Sequence, residues 1–277
     1  MQTQTKTIIY DECCPLCSAY TNAFVAIGLI NENARKNFSN ISPQLMSLID
    51  NRRSANEIPV IDEYTNEVWY GIDALLEILG QRFPLIKKYG NIKPVKWMLI
   101  KLYKFISFNR RVIVAKNQAT CSNDCTPDFN VRYRVFFMLL FLVFNTCMLV
   151  PIQQYLLTES MFTATTIQQL QCAHATIVTL NILIAASIGK KAGIEYLGQV
   201  NMLALLCILL TIPLIIINKY APATSFINNF FLGVISLVII KEYMRRMKFA
   251  GIFKTNLWIA YINGSSVLIM LLILLKK

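Results

Sequence analysis

Long apolar segments fill the second half of the chain, whereas the first half alternates short apolar runs with polar turns. Five segments of the second half stay apolar over about 15 to 23 residues, which suits α-helices that cross a hydrocarbon core of about 30 Å. The predicted spans are 135–156, 167–188, 197–217, 226–243 and 257–275. Asn228 and Asn229 make the fourth span the weakest, so four spans are the alternative. The pattern predicts an all-α transmembrane helix bundle over residues 135–277.

The first half has the pattern of an α/β domain. It predicts, in chain order, a strand, two helices, two strands and a closing helix at Lys6–Tyr10, Ser18–Ile30, Ser42–Asp50, Glu57–Asp62, Glu67–Tyr70 and Ile72–Leu79. Arg35–Ile41 shows no clear strand pattern. Further on, Val95–Ile106 is predicted as an amphipathic helix with an apolar face and lysines beside it. This face either lies on an anionic membrane or packs on its own domain.

The distribution of basic residues predicts the orientation in the membrane. They gather before the first span and in the loops after the second and fourth spans, whereas the loops 157–166 and 218–225 hold only Lys219. By the positive-inside rule, the N-terminal half is cytoplasmic. The polar first residues, which lack a signal-peptide pattern, agree with this side. We therefore expect an integral protein of the bacterial inner (plasma) membrane with its N-terminal domain in the cytoplasm.

The net charge also limits the partners. The chain carries 27 Lys and Arg against 15 Asp and Glu, a formal net charge of +12. In a membrane protein this excess serves orientation and contact with anionic lipid headgroups. Since no nucleic-acid motif accompanies it, membrane lipid is the expected partner and nucleic acid is not.

The first predicted strand is followed at once by Cys14-Pro15-Leu16-Cys17, which opens the next helix. A thiol at a helix N-terminus meets unpaired backbone N–H groups and the positive end of the dipole, which favour the thiolate. The chain has eight cysteines, and in a reducing cytoplasm a Cys-x-x-Cys pair is typical of redox or metal chemistry. In the redox interpretation Cys14 attacks a disulfide and Cys17 resolves the mixed disulfide, without a cofactor.

The residues around this pair allow a narrower comparison. Asp11, Cys14 and Cys17 form Asp-x-x-Cys-x-x-Cys, with Gly71-Ile72-Asp73-Ala74-Leu75 and the region Trp97–Arg111 downstream. This arrangement resembles the DCC family of predicted thiol-disulfide oxidoreductases over about residues 6–112. The chain departs from the family pattern at Glu12, where glycine is common, and in the extra Cys13.

The resemblance implies a thioredoxin-like fold for residues 1–115, with 116–134 as a linker. It implies that Asp11 tunes proton transfer near the dithiol and that Pro59 is a cis-proline whose backbone docks the substrate. From the residues alone, a polar cap that ends the strand is the favoured role of Asp11, and most X–Pro bonds are trans. Cys13 is either a third redox thiol or a small buried residue.

The remaining cysteines leave alternatives open. Cys121 and Cys125 in the linker, together with Cys14 and Cys17, could hold tetrahedral zinc, exchange electrons with the first pair, or be ordinary thiols in a turn. The intramembrane cysteines at 147, 172 and 207 are either an electron path or small apolar residues, and His174 favours helix packing.

The sequence thus predicts a membrane-anchored thiol-disulfide oxidoreductase that acts on a protein or small-molecule disulfide. The alternatives are a cysteine-based metal-binding membrane module and a membrane scaffold or carrier with a vestigial redox domain. Equal dependence of bound metal on both cysteine pairs would favour the first alternative.

Overall fold

The computed structural model describes residues 6–115 and 127–275. The chain divides into two compact units, Met1–Tyr133 and Arg134–Lys277. The linker pair Cys121 and Cys125 lies outside the described residues, so the predictions made for it stay predictions.

In the first unit, the described residues form a mixed sheet of four strands in the order β2-β1-β3-β4. The strands are β1 (Lys6–Tyr10), β2 (Arg35–Asn37), β3 (Pro59–Asp62) and β4 (Val68–Tyr70). β1 pairs parallel with β2 and antiparallel with β3, and β3 pairs antiparallel with β4. Because side chains alternate across a sheet, Ile8 joins an apolar cluster on one face and Ile9 a cluster on the other.

The described helices of this unit are α1 (Pro15–Ala26), α2 (Pro43–Leu48), α3 (Asn51–Ser54), α4 (Gly71–Arg82), α5 (Pro84–Gly90) and α6 (Lys93–Ile113). α1 contacts β1, and α4 contacts β3 and β4. Ala74 and Ile78 of α4 are fully buried in the same cluster as Ile8 and Val60. α6 contacts α4 and α5, and hydrogen bonds from its C-terminal half reach the loop before β3.

Several elements differ from the sequence expectation: α3 and α5 were not predicted, and α4 and α6 extend beyond their predicted bounds at both ends. β2 exists although no strand was expected there; its three residues, Arg35 to Asn37, are polar and are ordered by parallel pairing with β1. The first helix begins at Pro15, three residues before the predicted start, because Cys14 takes the capping position and Pro15 fits the first turn. It ends at Ala26, just before Gly28, whose φ of 70° is one that glycine adopts readily.

In the second unit, the described helices are α7 (Val131–Ile152, continued by a π-helical turn, Gln153–Leu157), α8 (Ile167–Ser187), α9 (Lys190–Tyr220), α10 (Ser225–Phe249), α11 (Ile252–Thr255) and α12 (Trp258–Leu275). Among the described residues, five helices are long and apolar enough to cross a membrane: Val131–Leu157, Ile167–Ser187, Lys190–Tyr220, Ser225–Phe249 and Trp258–Leu275. They overlap the five predicted spans, including the weakest. The second unit therefore has the helices of an integral membrane protein.

A chain of polar contacts links three of these helices. Arg246 of α10 is 3% exposed and pairs with Glu242 at 2.8 Å. Its Nη1 donates to Gln199 Oε1 of α9 at 2.9 Å, and Gln199 Nε2 donates to Glu195 Oε1 at 3.1 Å. Glu195 in turn pairs with the buried Arg134 of α7 at 3.3 Å. Since buried charges are costly unless paired, these contacts fix how the helices pack.

This network generates a stability prediction. We expect Glu242→Gln to lower the free energy of unfolding by about 3 to 5 kcal/mol, because it leaves the buried Arg246 without its carboxylate. Arg245→Gln is the matched control: Arg245 pairs with the same carboxylate but is 46% exposed, so its loss should cost about 1 kcal/mol or less. Thermal unfolding of the detergent-solubilised chain measures both, and equal effects would contradict the assignment.

Candidate active site

The dithiol lies where β1 ends and α1 begins. Cys14 has an extended backbone, with φ −95° and ψ 107°, and its Sγ accepts a hydrogen bond from the backbone N–H of Cys17 at 3.3 Å. Cys14 thus occupies the capping position that Ser or Asp commonly takes. Its sulfur lies at the positive end of the helix dipole, which favours a negative charge there.

Cys14 and Cys17 are free thiols with 7% and 6% of their surface exposed. Cys13 is disulfide-bonded, so it is not a third free thiol. The two thiols of the motif that are free to take part in disulfide exchange are therefore Cys14 and Cys17.

Asp11 lies directly beneath the turn that carries the dithiol. It is 9% exposed, its Oδ1 accepts from the Cys13 N–H at 2.9 Å, and its backbone carbonyl accepts from the Cys14 N–H at 3.2 Å. The structure therefore shows Asp11 as a cap that shapes the Cys-x-x-Cys turn. The role in proton transfer stays a prediction.

Arg110, near the C-terminal end of α6, joins the site from far along the chain. Its Nη1 lies 3.8 Å from Cys17 Sγ, and its Nη2 lies 3.5 Å from Asp11 Oδ2 and donates to the Ala55 carbonyl at 3.1 Å. The Arg110 and Asp11 side chains are each 10% exposed. In the sequence, Arg110 lies within the region of resemblance Trp97–Arg111 and was not predicted as a site residue.

α6 contacts the loop before β3 through a stripe of polar side chains spaced by four and three residues, Tyr103, Ser107 and Arg110. The Tyr103 hydroxyl accepts from the Ile58 backbone N–H at 2.9 Å. Ser107 donates to the carbonyl of Asn56, next to the Ala55 carbonyl that Arg110 binds. The regular spacing of these polar residues, at i, i+4 and i+7, was the available sequence signal for a helix face turned toward the site.

Pro59 is the first residue of β3 and pairs across the sheet with Tyr70. The described residues contain no cis peptide bond, so Ile58–Pro59 is trans and the cis-proline alternative is wrong. A proline is tolerated as the first residue of a strand because it removes no internal ladder hydrogen bond there. Pro59 is linked to the dithiol through the loop 55–58, which Arg110 contacts at Ala55.

The two thiols differ in acidity although they are buried alike. The pKa of Cys14 is lowered to about 6, chiefly by a hydrogen bond from the Cys17 thiol; burial opposes this shift and the Arg110 cation assists it. The pKa of Cys17 is raised, because Cys17 donates that hydrogen bond and is buried. Burial also raises the pKa of Asp11, against the Arg110 charge. At neutral pH this favours a Cys14 thiolate beside a protonated Cys17.

Apart from Cys13, Cys14 and Cys17, the described cysteines lie in the second unit. Among the described residues, no group of three or more His, Cys, Asp or Glu side chains is placed to hold a metal ion, and the zinc alternative depends on Cys121 and Cys125, which lie outside them. Cys147, Cys172 and Cys207 are free thiols on α7, α8 and α9. His174 lies 3.3 Å from the Thr146 hydroxyl, a contact between α8 and α7 that suits helix packing.

Comparisons of the chain with protein-family models, with curated proteins and with solved structures found no match. The chemistry of the dithiol is therefore inferred from the geometry of the site.

The hydrogen bond between the thiols predicts a difference between two variants. In Cys17→Ser the hydroxyl still donates to Cys14, whereas in Cys17→Ala the donor is lost. We expect the midpoint of Cys14 alkylation to stay near pH 6 in wild type and to lie at higher pH in Cys17→Ala than in Cys17→Ser. Iodoacetamide labelling of the reduced chain across pH, resolved by peptide mass spectrometry, measures this. Coincident midpoints for the two variants would contradict the assignment.

The Arg110 charge predicts a second shift. In Arg110→Met the Cys14 thiolate loses a nearby cation, so its pKa should rise by about one pH unit. Arg110→Lys keeps the charge and should leave the pKa of Cys14 close to its wild-type value. This variant therefore distinguishes an electrostatic effect from a packing defect. The same alkylation titration measures the effect, with circular dichroism as the check on folding. A midpoint that does not move in folded Arg110→Met would show that the guanidinium is irrelevant to Cys14.

Proposed function

We propose that this protein is a membrane-anchored thiol-disulfide oxidoreductase whose first unit is a thioredoxin-like domain of the DCC type. The observation that carries the proposal is the free Cys14/Cys17 pair at a helix N-terminus, in which the pKa of Cys14 is lowered to about 6 and that of Cys17 is raised. A nucleophile beside a protonated resolving thiol is the arrangement that thiol-disulfide exchange needs.

The strand order supports the proposed fold. β1, α1 and β2 form a parallel βαβ unit with the dithiol at its first turn, and β3 and β4 extend the sheet antiparallel before the helix α4. A Cys-x-x-Cys next to a βαβ unit is typical of thioredoxin-like redox proteins.

The proposed reaction transfers two electrons from the dithiol to a substrate disulfide. The Cys14 thiolate attacks one substrate sulfur; a Cys14–substrate bond forms as the substrate S–S bond breaks, and the departing thiolate takes a proton. Cys17, having lost its proton, then attacks Cys14 Sγ. This step forms the Cys14–Cys17 disulfide and releases the second substrate thiol, so the substrate is reduced as the protein is oxidised.

Arg110 and Asp11 would support this sequence without changing their covalent state. The guanidinium stabilises negative charge on either sulfur in turn, because it contacts Cys17 and lies near Cys14. Asp11 holds the guanidinium and the turn together. Asp11 is also a candidate acceptor for the Cys17 proton, since burial raises its pKa above the ordinary carboxyl value.

We place the domain on the cytoplasmic side of a bacterial inner membrane, from the basic residues of the predicted inner loops. A reducing compartment keeps such a pair in the dithiol form, which favours reduction of a protein or small-molecule disulfide. A reducing compartment also tends to reduce the disulfide of Cys13. A redox titration therefore has to monitor that bond as well as the Cys14–Cys17 pair.

The activity test uses the full chain in detergent, reduced and mixed with insulin as disulfide substrate. We expect Cys14→Ser to abolish reduction and Cys17→Ser to accumulate a mixed disulfide with the substrate, because the resolving thiol is missing. Cys172→Ser, which removes a free thiol of α8, is the matched control and should keep the wild-type rate.

Retained activity in Cys14→Ser, or equal loss in Cys172→Ser, would contradict the proposed site. Bound zinc that is lost in Cys14→Ser would favour the metal-binding alternative instead. Titration of the Cys14–Cys17 disulfide against glutathione gives the potential and hence the direction of electron flow.

A further inference from the structure

The exposed apolar side chains of the first unit are concentrated in one part of the chain. Within residues 6–115, all the large exposed hydrophobic residues except Ile27, Leu48 and Tyr64 lie between Phe83 and Ile106, on or beside α5 and α6. Soluble domains rarely leave such a group uncovered unless it meets a partner or a membrane.

The outward face of α6 is the apolar one. Trp97, Met98, Leu102 and Ile106, which we call the outer face of α6, are 65%, 56%, 50% and 39% exposed. The opposite side carries the polar stripe that contacts the loop 55–58. Of the apolar residues predicted for this helix, Met98, Leu102 and Ile106 are exposed, whereas Val95, Leu99 and Phe105 are half-buried, so its own domain covers the apolar face only in part.

The charged residues that α5 and α6 themselves carry have one sign, although Lys87 and Lys96 pair with Glu77 and Asp73 of α4. From Phe83 to Ala115 the sequence has eight Lys and Arg and no Asp or Glu. Lys93 and Lys101 are exposed on α6, and the Lys101 ammonium lies 5.8 Å from the centre of the Trp97 ring. An apolar stripe with Trp, flanked by exposed lysines, is the composition of helices that lie in the headgroup region of anionic bilayers.

We propose that the outer face of α6 docks on an anionic lipid surface, with Trp97, Met98 and Leu102 at the acyl boundary and Lys93 and Lys101 on lipid phosphates. This proposal does not depend on the redox chemistry of the dithiol.

The length of chain to the first span supports a lipid occupant. α6 ends at Ile113 and the first candidate span begins at Val131, so even a fully extended connection reaches at most about 60 Å. A bilayer is thus held at high local concentration near α6, which lets weak surface contacts bind. Because the inner side of the same helix carries Arg110, docking would keep the dithiol within a short distance of the bilayer.

The test measures side-chain exposure in the full chain. Reconstituted in nanodiscs, it is oxidised by hydroxyl radicals, and the oxidation of Trp97 and Met98 is compared between discs with phosphatidylglycerol and discs with phosphatidylcholine alone. We expect severalfold less oxidation of both residues with the anionic lipid, and partial return at high salt. Tyr64, 86% exposed on the β3–β4 turn, is the internal reference and should not change.

A pair of double variants separates local charge from net charge. Lys93→Gln/Lys101→Gln should return Met98 oxidation toward its value in phosphatidylcholine, with about a fivefold loss of surface affinity per lysine. Lys36→Gln/Arg52→Gln removes the same charge elsewhere in the domain and should leave Met98 protected. Equal effects of the two variants would overturn the role given to Lys93 and Lys101.

Two further outcomes would overturn the proposal as a whole. The first is equal oxidation of Trp97 and Met98 in the two kinds of disc. The second is equally strong protection in uncharged detergent micelles, since anionic lipid would then not be needed. Protection that rises with protein concentration would instead identify a second copy of the chain.

Discussion

The guanidinium of Arg110 joins the parts of the first unit that form its site. A buried cation is costly unless charged and polar partners surround it, and here the partners come from separate stretches of chain: Asp11 after β1, Cys17 in α1 and Ala55 before β3. The contacts that the Arg110 guanidinium needs therefore fix the end of the central strand β1, the start of α1 and the loop that leads into β3. The dithiol turn is shaped by the same contacts that order the domain.

The difference between the two thiols shows what this arrangement achieves. Burial is nearly equal for Cys14 and Cys17, so desolvation cannot separate their acidities. The asymmetry comes from the direction of hydrogen bonding, because Cys14 accepts from both the backbone N–H and the thiol of Cys17. The position of Cys14 before the first helical turn, made compatible by Pro15, sets that direction. A cysteine at the helix cap thus becomes the acidic thiol, and the one inside the helix holds its proton.

The sequence predicted features that depend on local pattern and missed those that depend on distant pairing. The membrane spans follow from apolar length, and β1 with its dithiol follows from a short apolar run and a motif. β2 carries no apolar alternation and exists because its backbone pairs with β1. Arg110 reaches Cys17 from 93 positions away; the polar spacing along α6 indicates an inward face but does not specify that partner. The trans state of Pro59 is the one that most X–Pro bonds adopt, and only the family resemblance implied cis.

α6 shows why periodicity alone could not decide between the interpretations of an amphipathic helix. The spacing of apolar residues defines a face, but it does not state whether protein or another medium covers that face. Here Tyr103, Ser107 and Arg110 find their partners inside the domain because the loop before β3 offers backbone N–H and carbonyl groups that need hydrogen bonds. Once the polar stripe contacts the domain, apolar residues on other sides of the helix, such as Met98 and Leu102, face outward. The orientation of the helix is therefore set by the hydrogen-bonding needs of the site, and the exposed apolar face is its consequence.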